Sequence, residues 1–272
     1  YNGFRVLGLR DGLFELPKVE TLADLDSVKA ELDKIILPKK LNIILSGTGK
    51  VTLGAKEILD HLKIKEVSDT VYLTSSFSEP VYCRIDVMEY NKRIDGMGGD
   101  KFEFYKNPSS YESNFMPYAK VSDMFIAGHF YGNGAPYLFT REDAKREDFK
   151  INLIADISCD VDGPIASNIR ASTIAEPFYG YDPISETEKE FKTPGTITMM
   201  TVDNLPCELP KDASDGFGDM FLEQVIPAFF NNDEHGILER ARMTNEKGEL
   251  SPRFSYLEDY VGAEISKQEK VK

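Results

Sequence analysis

The 272-residue sequence predicts a doubly wound, mostly parallel α/β sheet. Three observations lead to that class. Short β-branched or apolar runs alternate with helical stretches along the chain. One such run, Leu41–Leu45, feeds directly into the glycine pair Gly47-x-Gly49 and then into a helical pattern. A later run, Ile151–Ala155, ends on a single acid, Asp156.

The elements follow in order. Residues 1 to 15 carry Phe4, Val6, Leu7, Leu9, Leu13 and Phe14, dense enough for a buried helix. Leu22, Leu25, Val28 and Leu32 recur at helical spacing behind Thr21, which reads as the N-cap, with Asp24 in the capping-box place and Pro38 as the stop. After the strand at 41–45 and its glycine turn, Ala55–Leu62 is helical, and Ile64–Val67 and Pro80–Ile85 read as the second and third strands. Three glycines make Arg93–Asp100 a loop, and Lys101–Pro117, rich in aromatics and turn residues, reads as one or two short helices. Met124–Tyr131 is the fourth strand, and Thr140 with Asp143 suits the start of a helix. Ile151–Ala155 is the fifth strand and Thr196–Val202 the sixth, followed by a long helix over about Asp215–Phe230. The tail after Ser251 reads as a last helix with a charged end, Lys267–Lys272.

Composition bounds the function classes. The chain is 41% apolar and 29% charged, as a folded domain is, and is long enough to bury a substantial core. With 32 basic and 46 acidic side chains the net charge is −14, which argues against a nucleic-acid partner, since phosphate neutralisation requires clustered Lys and Arg. No apolar run approaches the roughly 18 to 20 residues of a membrane helix, so no membrane partner is expected. Cys83, Cys159 and Cys207 are far apart and contain no CxxC pair, which fits a reducing cytoplasm better than a disulfide framework.

The chemistry-bearing positions fall at strand ends. Gly47 permits a tight turn and Gly49 lets the backbone approach a pyrophosphate, while the following helix offers its free N–H groups and partial positive charge. Thr52 stands where a third glycine is usual, with Gly54 beyond it as an alternative packing glycine. A turn of this kind also occurs where nothing binds. The ribose acid is sought after the second strand, at Ser68 or Asp69, with the register left open; Asp86 and Glu89, after the third strand, read as a solvated helix start. Asp156 lies at the edge where open α/β sheets bind ligands, and Ser158, Asp160 and Asp162 follow it. Alternating carboxylates suit a hard cation, but their spacing is not that of an EF-hand loop, and no metal is expected. His61 and His235 read as surface residues, and His129 as either a pocket residue or a packed strand-end residue.

Three segments carry a resemblance: Ala155-Asp-Ile-Ser-Cys-Asp-Val-Asp-Gly-Pro-Ile165, Ser172–Asp182, and Val202-Asp-Asn-Leu-Pro-Cys-Glu-Leu-Pro-Lys-Asp-Ala-Ser-Asp-Gly-Phe-Gly-Asp219. With 107–115, 124–131 and 138–144, they resemble the lysine-ketoglutarate reductase and lysine-forming saccharopine dehydrogenase group of the alanine dehydrogenase and transhydrogenase superfamily. Residues 1–10 look like that family's helix linking two domains. The resemblance implies a Rossmann-type domain holding NAD or NADP, with an N-terminal domain supplying catalytic Lys and His. It carries the cofactor site onto Gly47, Thr48, Gly49, Lys50 and Val51, onto Ala127, Gly128 and His129, and onto Ala155, Asp156, Ile157 and Ser158. Asp156 would lie by the nicotinamide as the catalytic candidate, and Phe130 near the substrate.

The implied chemistry is reversible hydride transfer at a carbon bearing nitrogen, between small amino-acid and 2-oxo-acid substrates. The corresponding division is a linking helix and connector over 1–36, a Rossmann domain over 37–210, and C-terminal helices over 211–272 packing towards a substrate domain. On this reading the chain is the dinucleotide-binding portion of a longer polypeptide, cut at Tyr1 and inactive alone. Its apolar first helix would leave a surface open to self-association. An alanine dehydrogenase-like enzyme and a cofactor-less regulatory module with the same fold are the alternatives.

Overall fold

In a computed structural model of the chain, residues 1–132 and 134–262 are described. The charged end expected over 267–272 lies outside them. The chain divides into two compact units, Tyr1–Pro210 and Lys211–Lys272.

The strands of the first unit are β1 (Asn42–Ser46), β2 (Lys65–Glu66), β3 (Val81–Ile85), β4 (Asn91–Arg93), β5 (Tyr111–Ser113), β6 (Met124–Ala127), β7 (Leu153–Asp156), β8 (Phe178–Asp182), β9 (Thr187–Lys189) and β10 (Ile197–Met200). Among the described residues, eight of them form one sheet in the order β2-β3-β1-β6-β7-β10-β8-β9, and β4 pairs with β5 separately. Pairing is parallel from β2 through β10 and antiparallel at β10–β8 and β8–β9. The doubly wound class is therefore correct, with two antiparallel strands added at one edge. Those two fall in the aromatic stretch Phe178–Asp182 and beyond a turn at Pro183–Glu186, where the sequence reading placed no strand.

The central strands are buried on both faces, which is why they read as unbroken apolar runs. One face packs Ile44, Ile85, Phe125 and Ile154 against Phe115, Tyr118 and Phe139. The other packs Ile43, Leu45, Met124 and Leu153 under α1 (Asn2–Asp11), α2 (Leu25–Leu32) and α3 (Lys50–His61), through Phe4, Val6, Leu7, Leu32 and Leu59. A cavity of about 230 Å³ lies on this second face, between α1, α3 and the sheet, with the Glu208 carboxylate at its rim. Asn2 Nδ2 donates to both oxygens of Glu208, at 3.0 and 2.7 Å, which fixes the start of α1.

Local capping differs from the expectation in one place. Asp24, not Thr21, is the N-cap of α2 and accepts from Ser27 N at 3.0 Å, while the Thr21 hydroxyl donates to Lys18 O in a 3₁₀ turn. The helix ends at Leu32, well before Pro38. Thr140 and Asp143 do form a reciprocal capping box, ahead of the turn Arg141–Ala144.

The second unit begins within the helix Pro210–Met220, which passes into a π turn over Phe221–Val225 and a 3₁₀ turn over Ile226–Phe229. The single long helix expected over 215–230 is thus broken, because Pro227 has no N–H to continue the ladder. Asp233 accepts from Leu238 N and Glu239 N, at 3.0 and 2.9 Å, and caps the helix Ile237–Ala241. Among the described residues no helix is long and apolar enough to cross a membrane.

Candidate dinucleotide site

The glycine turn is built between two strand ends. Gly47 has φ 99°, in the region that side chains disfavour, and its N–H donates to Ile85 O at the end of β3, at 2.8 Å. On the other side the N–H of Gly128, just past β6, donates to Ser46 O at 3.2 Å. Thr52 is fully buried in the first turn of α3, and its hydroxyl reaches Ser46 O at 3.1 Å and Gly128 O at 3.2 Å. One proton is shared between two carbonyls on neighbouring strands. A Cβ at Gly47 would stand 2.6 Å from Thr52 Oγ1 and 2.7 Å from Gly128 O, and one at Gly128 would stand 2.8 Å from Thr52 Oγ1. Thr52 is thus the clasp of the turn, where the pattern alone marks it as a departure. Gly54 does not replace it as a packing glycine, since a side chain there would meet nothing within 4 Å.

The clasp leaves Thr48, Gly49, Lys50 and Val51 exposed on the carboxyl edge of the sheet. Gly49 is the N-cap of α3, without a side-chain capping bond, and no acidic residue lies in the first turn. A twelve-residue helix presented in this way favours an anion at its start.

Asp156 ends β7 opposite Ala127 and is 1% exposed. It accepts from Ser158 Oγ at 2.6 Å, Cys159 N at 3.0 Å and Asn168 Nδ2 at 2.7 Å. Burial raises its pKa, and these three donors work against that rise. They hold the following loop in shape, with Cys159 and Asp162 at φ 54° and 51°. Ala155 faces the α1 side of the sheet, and Ile157 N closes onto Ala127 O at 3.0 Å. Ser167 and Asn168, buried beside this loop, carry no sequence signal that singles them out.

His129 is 6% exposed, with Nδ1 2.7 Å from Ser46 Oγ. Its ring stacks on Phe125 and meets Tyr90 edge-on at 5.9 Å. Nε2 is buried with no hydrogen-bond partner among the described residues. Burial pushes the pKa down to about 4, so the ring is neutral at pH 7. Phe130, the neighbouring substrate candidate, is 80% exposed. His61, by contrast, joins α3 to α2 through Asp33 and Lys29 O.

The remaining sequence candidates stand apart from this group. Ser68 caps α4 (Asp69–Thr74) at the end of the outermost strand β2. β1 lies between β3 and β6, and the residue after β3 is Asp86, the N-cap of α5 (Val87–Tyr90) in a capping box with Glu89. The helix start expected at Asp86 and Glu89 is there, at a strand end whose last residue, Ile85, is bonded to the glycine turn.

Thr52→Val removes a buried donor to both carbonyls, of which Ser46 O keeps the N–H of Gly128, so denaturant unfolding is expected to show a loss of about 1–3 kcal/mol, largely restored in Thr52→Ser. The His129 shift predicts the acid limb of stability. The unfolded imidazole takes up its proton near pH 6.5 and the folded one only near 4, so the unfolded chain binds more protons in that window and stability falls on acidification. Urea titrations at several pH values are expected to show this loss, approaching about 1.4 kcal/mol per pH unit, relative to His129→Asn. The opposite effect of Asp156 is common to both proteins; parallel pH profiles would remove the assignment.

No family model matches the chain. It is similar to the mitochondrial alpha-aminoadipic semialdehyde synthases of Mus musculus and Bos taurus, at 25% and 26% identity over 264 residues, covering 84% of this chain and 28% of each relative. The alpha-aminoadipic semialdehyde synthase of Arabidopsis thaliana is 27% identical over 243 residues, covering 80% of this chain and 22% of the relative. The chain therefore spans less than a third of the curated relatives it matches, and this similarity supports the resemblance of its motifs to the lysine-ketoglutarate reductase and saccharopine dehydrogenase group.

Proposed function

We propose that the chain supplies the dinucleotide-binding part of an NAD(P)-dependent oxidoreductase acting on carbon–nitrogen bonds, of the saccharopine-forming or saccharopine-cleaving type. The observation that carries this reading is the clasped turn. Thr52 draws Ser46 and Gly128 together, Gly47 and Gly128 let the two strand ends pack closely where a Cβ would collide, Gly49 leaves the turn open, and α3 presents an N-terminus without a side-chain cap at the same edge. A pyrophosphate would lie over the exposed residues Thr48 to Val51, held by backbone donors of the turn and the first turn of α3.

Bound there, the nicotinamide would accept or donate a hydride at a carbon bearing nitrogen. The chain's own groups orient and exclude water. Asp156, held by three internal donors, fixes the loop 157–159 beside the strand ends. His129 is neutral and tied to Ser46, and its other ring nitrogen is buried without a hydrogen-bond partner among the described residues. Its uncharged state leaves it unable to offset a cofactor phosphate, so it serves orientation. Amino-acid and 2-oxo-acid substrates, their proton-handling groups and a reducing compartment for the free thiols Cys83, Cys159 and Cys207 are parts of the same proposal.

Calorimetric titration of the 272-residue chain with NAD+, NADH and NADPH tests the reading. One dinucleotide per chain should bind, and Gly47→Val should weaken it at least tenfold, because the new side chain collides with Thr52 Oγ1 and Gly128 O at a backbone conformation side chains disfavour and so displaces the turn. Absence of binding by all three would leave the cofactor-less module as the better account.

A further inference from the structure

The cavity on the α1 side of the sheet has a chemistry of its own. Its space of about 230 Å³ is bounded by α1, α3, the carboxyl ends of β6, β7 and β10, and the segment 205–209. Packing holds this space open. At Gly3 α1 already touches the sheet, where a Cβ would collide with Met124 Cε, so the helix has no room to move inward. Gly54 interrupts α3 at a position in the cavity wall where a side chain would meet nothing within 4 Å. Glycine weakens a helix interior, and no neighbour requires it there; its missing side chain keeps the entry clear. Left empty, an apolar void forfeits dispersion contacts along its walls, and one of roughly 150 Å³ already takes a single aromatic ring.

The wall is apolar through Phe4, Leu59, Met124, Ile126, Met200 and Leu205, and it contains one carboxylate, Glu208, which is 5% exposed. Asn2 Nδ2 donates to both of its oxygens, but an amide brings no charge. Among the described residues no Lys or Arg pairs with it; Arg5 acts only from a distance, with its Nε bonded to Leu16 O. The Tyr1 amino group is near, but burial pushes it down to about 6, which leaves it largely uncharged at pH 7. A buried carboxylate without a cation is costly, and each oxygen retains a further acceptor site. We infer that the cavity binds a small organic cation, with an apolar body against the wall and one primary ammonium group on Glu208. A carboxylate on the ligand is disfavoured, because it would set a second negative charge beside the first. The inference does not rest on the dinucleotide reading, which the glycine turn carries.

Phenethylamine, phenethyl alcohol and hydrocinnamate test it at pH 7 as a cationic, a neutral and an anionic probe of similar shape. Titrations of the 272-residue chain follow the methyl resonances of Met124 and Met200, both in the cavity wall. The amine should bind saturably, shift both methyls, and do so at least tenfold tighter than the alcohol, with the carboxylate weakest. Glu208→Gln keeps an acceptor for Asn2 and should weaken the amine at least tenfold while changing the alcohol less than threefold. Gly54→Leu, whose side chain enters the cavity mouth, should weaken amine and alcohol alike; unchanged thermal unfolding verifies the fold of both variants. The absence of a saturable shift at Met124 and Met200, an amine advantage below tenfold, or an amine affinity indifferent to Glu208→Gln would each overturn the inference. If Glu208→Gln does not fold, the order of the three probes on the unaltered chain decides.

Discussion

One hydroxyl group holds the carboxyl edge of this sheet in register. Thr52 lies on a helix, yet its Oγ1 bridges backbone carbonyls at the ends of two neighbouring parallel strands, β1 and β6. The glycine requirements follow from that placement, because a Cβ at either Gly47 or Gly128 would collide with the same oxygen. So does the direction of α3, whose first turn is tied to the strands it follows. A buried hydroxyl without partners would cost more than it gives; shared between two carbonyls, it satisfies itself and fixes the helix start.

The edge that results is polar on the inside and accessible on the outside. Asp156, Ser46, His129, Ser167 and Asn168 are buried at the strand ends, whereas Thr48 to Val51 and Phe130 are exposed. Much of the buried set is paired within itself. His129 Nε2, Ser167 Oγ and Asn168 Oδ1 form no such pair among the described residues. Buried polar atoms left this way at a sheet edge are characteristic of a site completed by a ligand or by ordered water.

Much of this was legible in the sequence, for reasons that can be located. The β1 run, the glycine pair and the helix after it are local signals, and the structure keeps their order. The Thr140 and Asp143 capping box is likewise local. What the sequence could not supply was the neighbour relation of strands. β2 is two exposed residues long, Lys65 and Glu66, and nothing in its pattern says that it lies outside β3. The candidates Ser68 and Asp69 rested on sequential strands being adjacent, whereas the crossover places β3 between β2 and β1. Thr52 was visible only as a missing glycine, because the two carbonyls that its hydroxyl reaches come from segments 6 and 76 residues away.

The central claim is that the edge clasped by Thr52 is a dinucleotide site. Amide chemical-shift mapping by NMR during titration with NADH tests it most directly. The account predicts the largest shifts at Gly47, Thr48, Gly49, Val51, Gly128 and His129, with weaker ones at Ile157 to Cys159. Saturating shifts confined to the cavity under α1 and α3, or an unperturbed glycine turn, would contradict it.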